Sequence, residues 1–126
     1  MAPPSAGGTG EFIWPCSGEI TQWRTWYHSG IDIANASAPD IVAAGSGVVA
    51  FVSYETWGYG YHVVVNHGRY QTLYAHLSQI YVSEGQSVFT GQALGKMGTT
   101  GRSTGIHLHF EVRSGNAILN PMDFLK

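Results

Sequence analysis

Short runs that alternate apolar and polar side chains, broken by glycine-rich turns, constrain this chain more than any other feature. It carries 17 glycines, and no window long enough for a packed helix keeps a 3.6-residue period. Strands are expected over residues 12–14, 30–34, 41–43, 47–54, 61–66, 71–76, 87–89, 93–97 and 106–113, with one helical turn over 121–125. The expected fold is all-β: a compact antiparallel sheet/sandwich-barrel hybrid with little or no helix.

Alternation also places chemistry. In residues 106–113, Leu108, Phe110 and Val112 form an apolar stripe, so His107, His109 and Glu111 share the other face, about 6.5–7 Å apart. In residues 71–77, Leu73, Ala75 and Leu77 read as the buried face, which leaves Thr72, Tyr74 and His76 pointing the other way. Ile31 and Ile33 point inward around Asp32, and His28 stands just before that strand. A bend at Ser29-Gly30 is expected to let His28 and Asp32 reach one ion, since four extended residues span about 13 Å. Histidine and aspartate at these spacings describe a zinc site of three protein ligands with one open position, as in a zinc hydrolase. His62 and His67 read as ordinary strand and turn residues, and Glu111 as a neighbour outside the ligand set.

Bulk composition narrows the alternatives. A length of 126 residues, 44% hydrophobic and 11% charged, fits one folded domain over residues 11–126. A net charge of −2 gives no reason to expect nucleic acid as a partner. The single Cys16 reads as a small, partly buried apolar residue. There is no apolar run of membrane-spanning length. Residues 1–10 read as a linker or a cloning remnant, with a leader, anchor or wall-binding domain possible beyond it. Gly91 to Met97 fails as a phosphate loop, because its spacing is short and Met97 stands where Ser or Thr belongs.

Three stretches together carry a family resemblance: His28-Ser-Gly-Ile-Asp32, Tyr74-Ala-His76-Leu77, and Gly101-Arg-Ser-Thr-Gly-Ile-His107-Leu-His109-Phe-Glu111. In order and spacing they resemble the lysostaphin/LytM-type zinc metallopeptidases, which hydrolyse peptide bonds of bacterial peptidoglycan. The resemblance implies one zinc ion on His28, Asp32 and His109, with His76 and His107 as catalytic histidines. It implies a groove across the polar sheet face, for which Trp23, Arg24, Tyr27, Trp57, Tyr59 and Tyr74 are candidate lining residues. It further implies a peptidoglycan peptide as partner and a cell-envelope or secreted location; a monomer is expected. The stretches over 28–33 and 101–113 look more like enzymes of the D-Ala–diaminopimelate crosslink than of glycine bridges. The chain departs from the family pattern at His62, where many relatives carry Asn, and at Ile106, where many carry Pro.

Two rival classes remain. A non-catalytic family member that activates another wall hydrolase is disfavoured because all five site positions are filled. A biotinyl- or lipoyl-like carrier is suggested by Val82 to Gly95, but Lys96 lies within a strand-like run instead of at a hairpin tip.

Overall fold

The computed structural model describes residues 11–103 and 105–126, so the reading of residues 1–10 lies outside the described residues. Ten strands build one antiparallel sheet that is not closed into a barrel: β1 (Glu19–Gln22), β2 (Ile31–Ala34), β3 (Asp40–Val42), β4 (Gly47–Tyr54), β5 (Tyr61–Asn66), β6 (Gln71–Ile80), β7 (Ser87–Val88), β8 (Ala93–Met97), β9 (His107–Ser114) and β10 (Ala117–Leu119). The order is β1-β2-β9-β6-β5-β4-β7, with β10 added to β9 and β3 joined through β8 to β6. A 3-10 turn, Pro121–Asp123, follows, capped by the Asn120 side chain, which accepts from the Met122 N–H at 3.1 Å.

β1 and β10 are absent from the sequence expectation. Both pair along one edge and are mostly exposed, so neither carries the apolar alternation that marks a half-buried strand. Conversely, residues 12–14 make a single bridge, Phe12 to Leu125, instead of a strand. Phe12 is buried against His67, Tyr70 and Phe124 and fastens the two ends of the described fold together.

β9 follows its alternation. Leu108, Phe110 and Val112 are fully buried in the core, and β2 pairs with it so that Ile31 and Ile33 share that face. Asp32 therefore lies directly opposite His109 on the other face. Gly30 permits this pairing by close approach: a Cβ there would lie 2.2 Å from the Phe110 carbonyl oxygen. The chain also bends at Gly30, as expected from sequence and without a positive φ, and this brings His28 Nε2 to 3.3 Å from Asp32 Oδ2.

β6 departs from its alternation. Tyr74 lies opposite Phe110 and Thr72 opposite Val112, on the core face, whereas Leu73 and Ala75 lie opposite Glu111 and His109. This is the reverse of the expected assignment. His76 nevertheless reaches the His109 face, because a two-against-one bulge sets Ala75 and His76 opposite His62 of β5, and His76 takes φ 66. Beyond the bulge Leu77 returns to the core, and β6 pairs with β8 in place of β9.

Candidate metal centre and cleft

Paired strands bring Asp32 and His109 together, and the turn before β2 adds His28. Donor atoms of these three residues all lie within 4.8 Å of one another. His28 Nε2 stands 3.3 Å from Asp32 Oδ2, and His109 Nδ1 stands 2.8 Å from Asp32 Oδ1. Donors held 2.0–2.1 Å from a tetrahedral zinc are about 3.3 Å apart, so the group is of the right size.

The remaining imidazole nitrogens support the same fit. His28 Nδ1 lies 3.2 Å from the Trp23 carbonyl, and His109 Nε2 lies 2.8 Å from Glu111 Oε2. Each ring can donate its N–H outward to a fixed acceptor while its other lone pair faces the group, the arrangement that metal-binding histidines require. Burial alone would lower the His109 pKa, but hydrogen bonds to Asp32 and Glu111 hold it up at about 9. Burial alone would raise Asp32, yet its bond to His109 and the neighbouring histidines hold its carboxyl below the usual range. The pocket is thus built to retain positive charge between its carboxylates, as a proton or as a divalent cation.

His76 and His107 face each other beside this group, their ring centroids 5.0 Å apart. His76 Nδ1–H donates to the Thr100 carbonyl at 2.7 Å, which leaves Nε2 free. Burial, reinforced by His107 and His109, lowers its pKa against the opposing pull of Thr100, so it is neutral at pH 7. His107 Nδ1 lies 3.0 Å from the Gly105 carbonyl, and its Nε2 points toward Asp32 Oδ2 at 3.8 Å.

The sequence matches Peptidase family M23 over residues 26–121, a span that holds all five of these side chains. The chain belongs to that family. It is 42% identical over 101 residues to the DD-carboxypeptidase/endopeptidase Mpg of Neisseria meningitidis, an alignment spanning 79% of this chain and 23% of Mpg. A lipoprotein NlpD/LppB homolog of Pseudomonas aeruginosa is 33% identical over 129 residues, 99% of this chain and 42% of that protein. A zinc-containing peptidase from Vibrio cholerae shares the fold with a TM-score of 0.81 at 33% identity, over 89% of this chain and 39% of that one. Lysostaphin from Staphylococcus simulans does so with a TM-score of 0.76 at 26% identity, over 91% of this chain and 52% of that one. The M23 chain therefore spans less than half the length of these curated relatives.

Three concavities of this M23 chain are each lined by residues of the His28, Asp32 and His109 group. One of about 570 Å³ is lined by Thr21, Gln22, Ala34, Ala36, Gly105, Ile106, Asp32 and His107. Another, of about 560 Å³, is lined by Tyr27, Ser29, Glu55, Trp57, Gly58, Tyr59, Arg102, His76 and His109. A smaller one, about 240 Å³, includes Trp23, Tyr27 and His28. Four expected groove residues, Trp23, Tyr27, Trp57 and Tyr59, thus border the site.

Two expected groove residues do not. Tyr74 is fully buried on the core face, where its hydroxyl accepts from the Ala44 N–H at 2.9 Å and burial pushes its pKa to about 12. Arg24 turns toward β10 and donates to the Ile118 carbonyl at 2.8 Å, and it lines none of these concavities. Cys16, half-buried and free, has its thiol raised to about 12 by burial, in keeping with an unreactive apolar role.

Sequence reasoning passed over Thr100 and over the hydrogen bonds of Ser29 and Glu111. Thr100 lies between the strands expected from sequence, yet its carbonyl holds His76 and its hydroxyl bridges the Tyr61 N–H and the Leu77 carbonyl. Gly60 and Gly101, both at positive φ, allow the two loops around it to touch: a Cβ on Gly101 would lie 2.3 Å from the Gly60 nitrogen. The glycines in both loops were the available signal, but no one-dimensional pattern says that they meet.

Proposed function

We propose that this chain is the catalytic domain of a zinc-dependent endopeptidase that hydrolyses peptide bonds in peptidoglycan. The observation that carries the proposal is the convergence of His28, Asp32 and His109 beside the facing rings of His76 and His107. A zinc ion on those three donors supplies Lewis acidity, lowering the pKa of water and polarising a carbonyl. His76, neutral and anchored by Thr100, is fit to take a proton through Nε2 and later to deliver one to a leaving amine. His107, with Nδ1–H set against the Gly105 carbonyl, presents Nε2 toward the same space and, once that nitrogen has taken up a proton, is fit to donate it to a developing oxyanion. The concavities on either side of the group give a peptide room to cross it.

The D-Ala–diaminopimelate crosslink fits the larger aromatic cleft better than a glycine bridge does. Arg102 and Glu55 line that cleft with opposite charges and make no ion pair with each other or another described residue. The donor stem's diaminopimelate offers an ammonium and a carboxylate to such a pair, and the acceptor's, whose amine lies in the crosslink, offers a carboxylate; a glycine bridge offers neither. Acting on this substrate would place the protein in the cell envelope or outside the cell. A second reading, a non-catalytic domain that activates another wall hydrolase, draws on the likeness to the Pseudomonas lipoprotein. The filled set of five site residues speaks for the enzyme.

Zinc-loaded protein incubated with crosslinked peptidoglycan, with H107A as control, tests the reading. New peptide termini, identified by mass spectrometry and made by the unmutated chain alone, are the expected result. Intact walls of both the diaminopimelate and glycine-bridged kinds would overturn catalysis in favour of the activator. Cleavage of glycine bridges alone would overturn the crosslink assignment.

A further inference from the structure

Glu111 has no solvent exposure and lies one alternation beyond His109 on β9. An uncompensated carboxylate in such a place is strongly disfavoured, so its partners carry information. Its Oε2 faces three donors: Ser29 Oγ at 2.6 Å, Tyr59 OH at 2.5 Å and His109 Nε2 at 2.8 Å. Its Oε1 takes Arg113 Nε at 2.7 Å, and Arg113 Nη2 also reaches the Tyr59 hydroxyl at 2.9 Å. A simple Glu111–Arg113 pair would leave Oε2 to water. Here that oxygen is turned inward, onto the imidazole nitrogen that faces away from the metal group.

We propose that Glu111 is a positioning residue whose carboxylate holds the His109 proton on Nε2 and so directs Nδ1 at Asp32 and the metal. The inference rests on the reading of His109 as a ligand. A neutral imidazole carries its proton on either nitrogen, and only the Nε2–H form offers Nδ1 as a lone pair. Carboxylate oxygens stand 2.8 Å from both ring nitrogens, Asp32 Oδ1 at Nδ1 and Glu111 Oε2 at Nε2. With a metal on the Asp32 side, Glu111, which accepts and cannot donate, is the one left to hold the proton and so selects the Nε2–H form. A glutamine in its place can turn its NH2 toward Nε2 and favour the wrong one. Ser29 and Tyr59 orient the carboxylate, and both also line the aromatic cleft, so the wall that meets substrate and the ligand that meets metal share one anchor.

The test is zinc affinity, measured by competition with a chromogenic chelator, for the unmutated chain, E111Q and V65A. Val65 is buried in the core, outside the metal group, so V65A reports general loosening. E111Q is expected to bind zinc about 10- to 100-fold more weakly. V65A is expected to melt at lower temperature with zinc affinity unchanged. An E111Q affinity within threefold of the unmutated chain overturns the proposal, as does an equal loss of affinity in V65A. Should E111Q fail to fold, nitrogen-15 spectra of the unmutated, zinc-loaded chain decide. A slowly exchanging proton on His109 Nε2 supports the proposal, and a proton on Nδ1 overturns it. Absence of zinc binding by the unmutated chain would instead overturn the ligand reading on which the proposal stands.

Discussion

β9 and β6 are adjacent strands that send histidines to one sheet face by opposite means. β9 keeps strict alternation for its whole length, so the parity that buries Phe110 also delivers His107, His109 and Glu111. β6 begins in the other parity, with Tyr74 in the core, and only the bulge at Ala75–His76 turns His76 over. The difference teaches that strand parity is a reliable guide while the backbone stays extended, and fails at the first left-handed residue. Histidine at φ 66 costs about 1–2 kcal/mol relative to an extended conformation. Two contacts offset that cost: the His76 N–H donates to the Tyr59 carbonyl at 2.9 Å, and Nδ1–H donates to Thr100.

The strongest way to break the regular side of this comparison is G30A. Its Cβ would meet the backbone of β9, which cannot give way as a side chain can. Loss of about 3 kcal/mol or more is expected, together with loss of zinc binding, because β2 would be pushed off and Asp32 separated from His109. Thermal melting and a zinc titration check this. A variant that melts normally and binds zinc would show that β2 does not depend on the close approach.

The irregular side is probed by replacing His76 with alanine and, separately, with glycine. Both should lower turnover by about 100-fold or more, since each removes the proton-carrying imidazole. Glycine accepts positive φ without penalty, so H76G should be more stable than H76A by about 1 kcal/mol in urea unfolding. The order reverses at an extended position, where glycine is the weaker residue. Equal or reversed stabilities would mean that the bulge is not held in the left-handed region in solution.

Particular residues show how far sequence could reach. The apolar stripe of Leu108, Phe110 and Val112 is dense enough to set parity unaided, and Ile31 and Ile33 repeat it, so the geometry around Asp32 and His109 was legible. Leu73 and Ala75 read as core because they are apolar, but they lie opposite Glu111 and His109, where a buried site needs apolar neighbours as much as a core does. Tyr74 read as groove because it alternates with His76; a bulge without a glycine leaves no mark in the sequence. Arg24 read as groove from resemblance alone, and the chain before His28 folds it toward β10 instead. Alternation put Glu111 on the right face, but the bonds that Ser29 and Tyr59 make to it, and that Thr100 makes to His76, join segments far apart in the chain, which periodicity cannot register.

The smallest expected effect tests the reversed parity of β6 from its core side. Ala44 N–H donates to the Tyr74 hydroxyl, which bonds Thr72 Oγ1 at 2.7 Å, and Thr72 bonds His67 Nε2 at 2.8 Å. His67 Nδ1–H completes the chain by donating to the Ser46 carbonyl at 2.8 Å. In this direction Thr72 must donate to an unprotonated Nε2. Burial lowers the His67 pKa, against the smaller opposing effects of Ser46 and Glu11. Its folded value therefore lies below its unfolded value near 6.5. Above pH 6.5 both states are neutral there and the contribution is constant. As pH falls through 6.5 the unfolded chain takes up the proton first, so stability declines until the folded pKa is passed. Urea unfolding of metal-free protein between pH 6.5 and 5, where His109 is largely protonated in both states, should show this decline, and H67Q should show a shallower one. Y74F should lose about 1–3 kcal/mol at every pH by stranding the Ala44 N–H, while substrate cleavage is unchanged. A Y74F protein of normal stability but impaired cleavage would return Tyr74 to the groove and β6 to simple alternation.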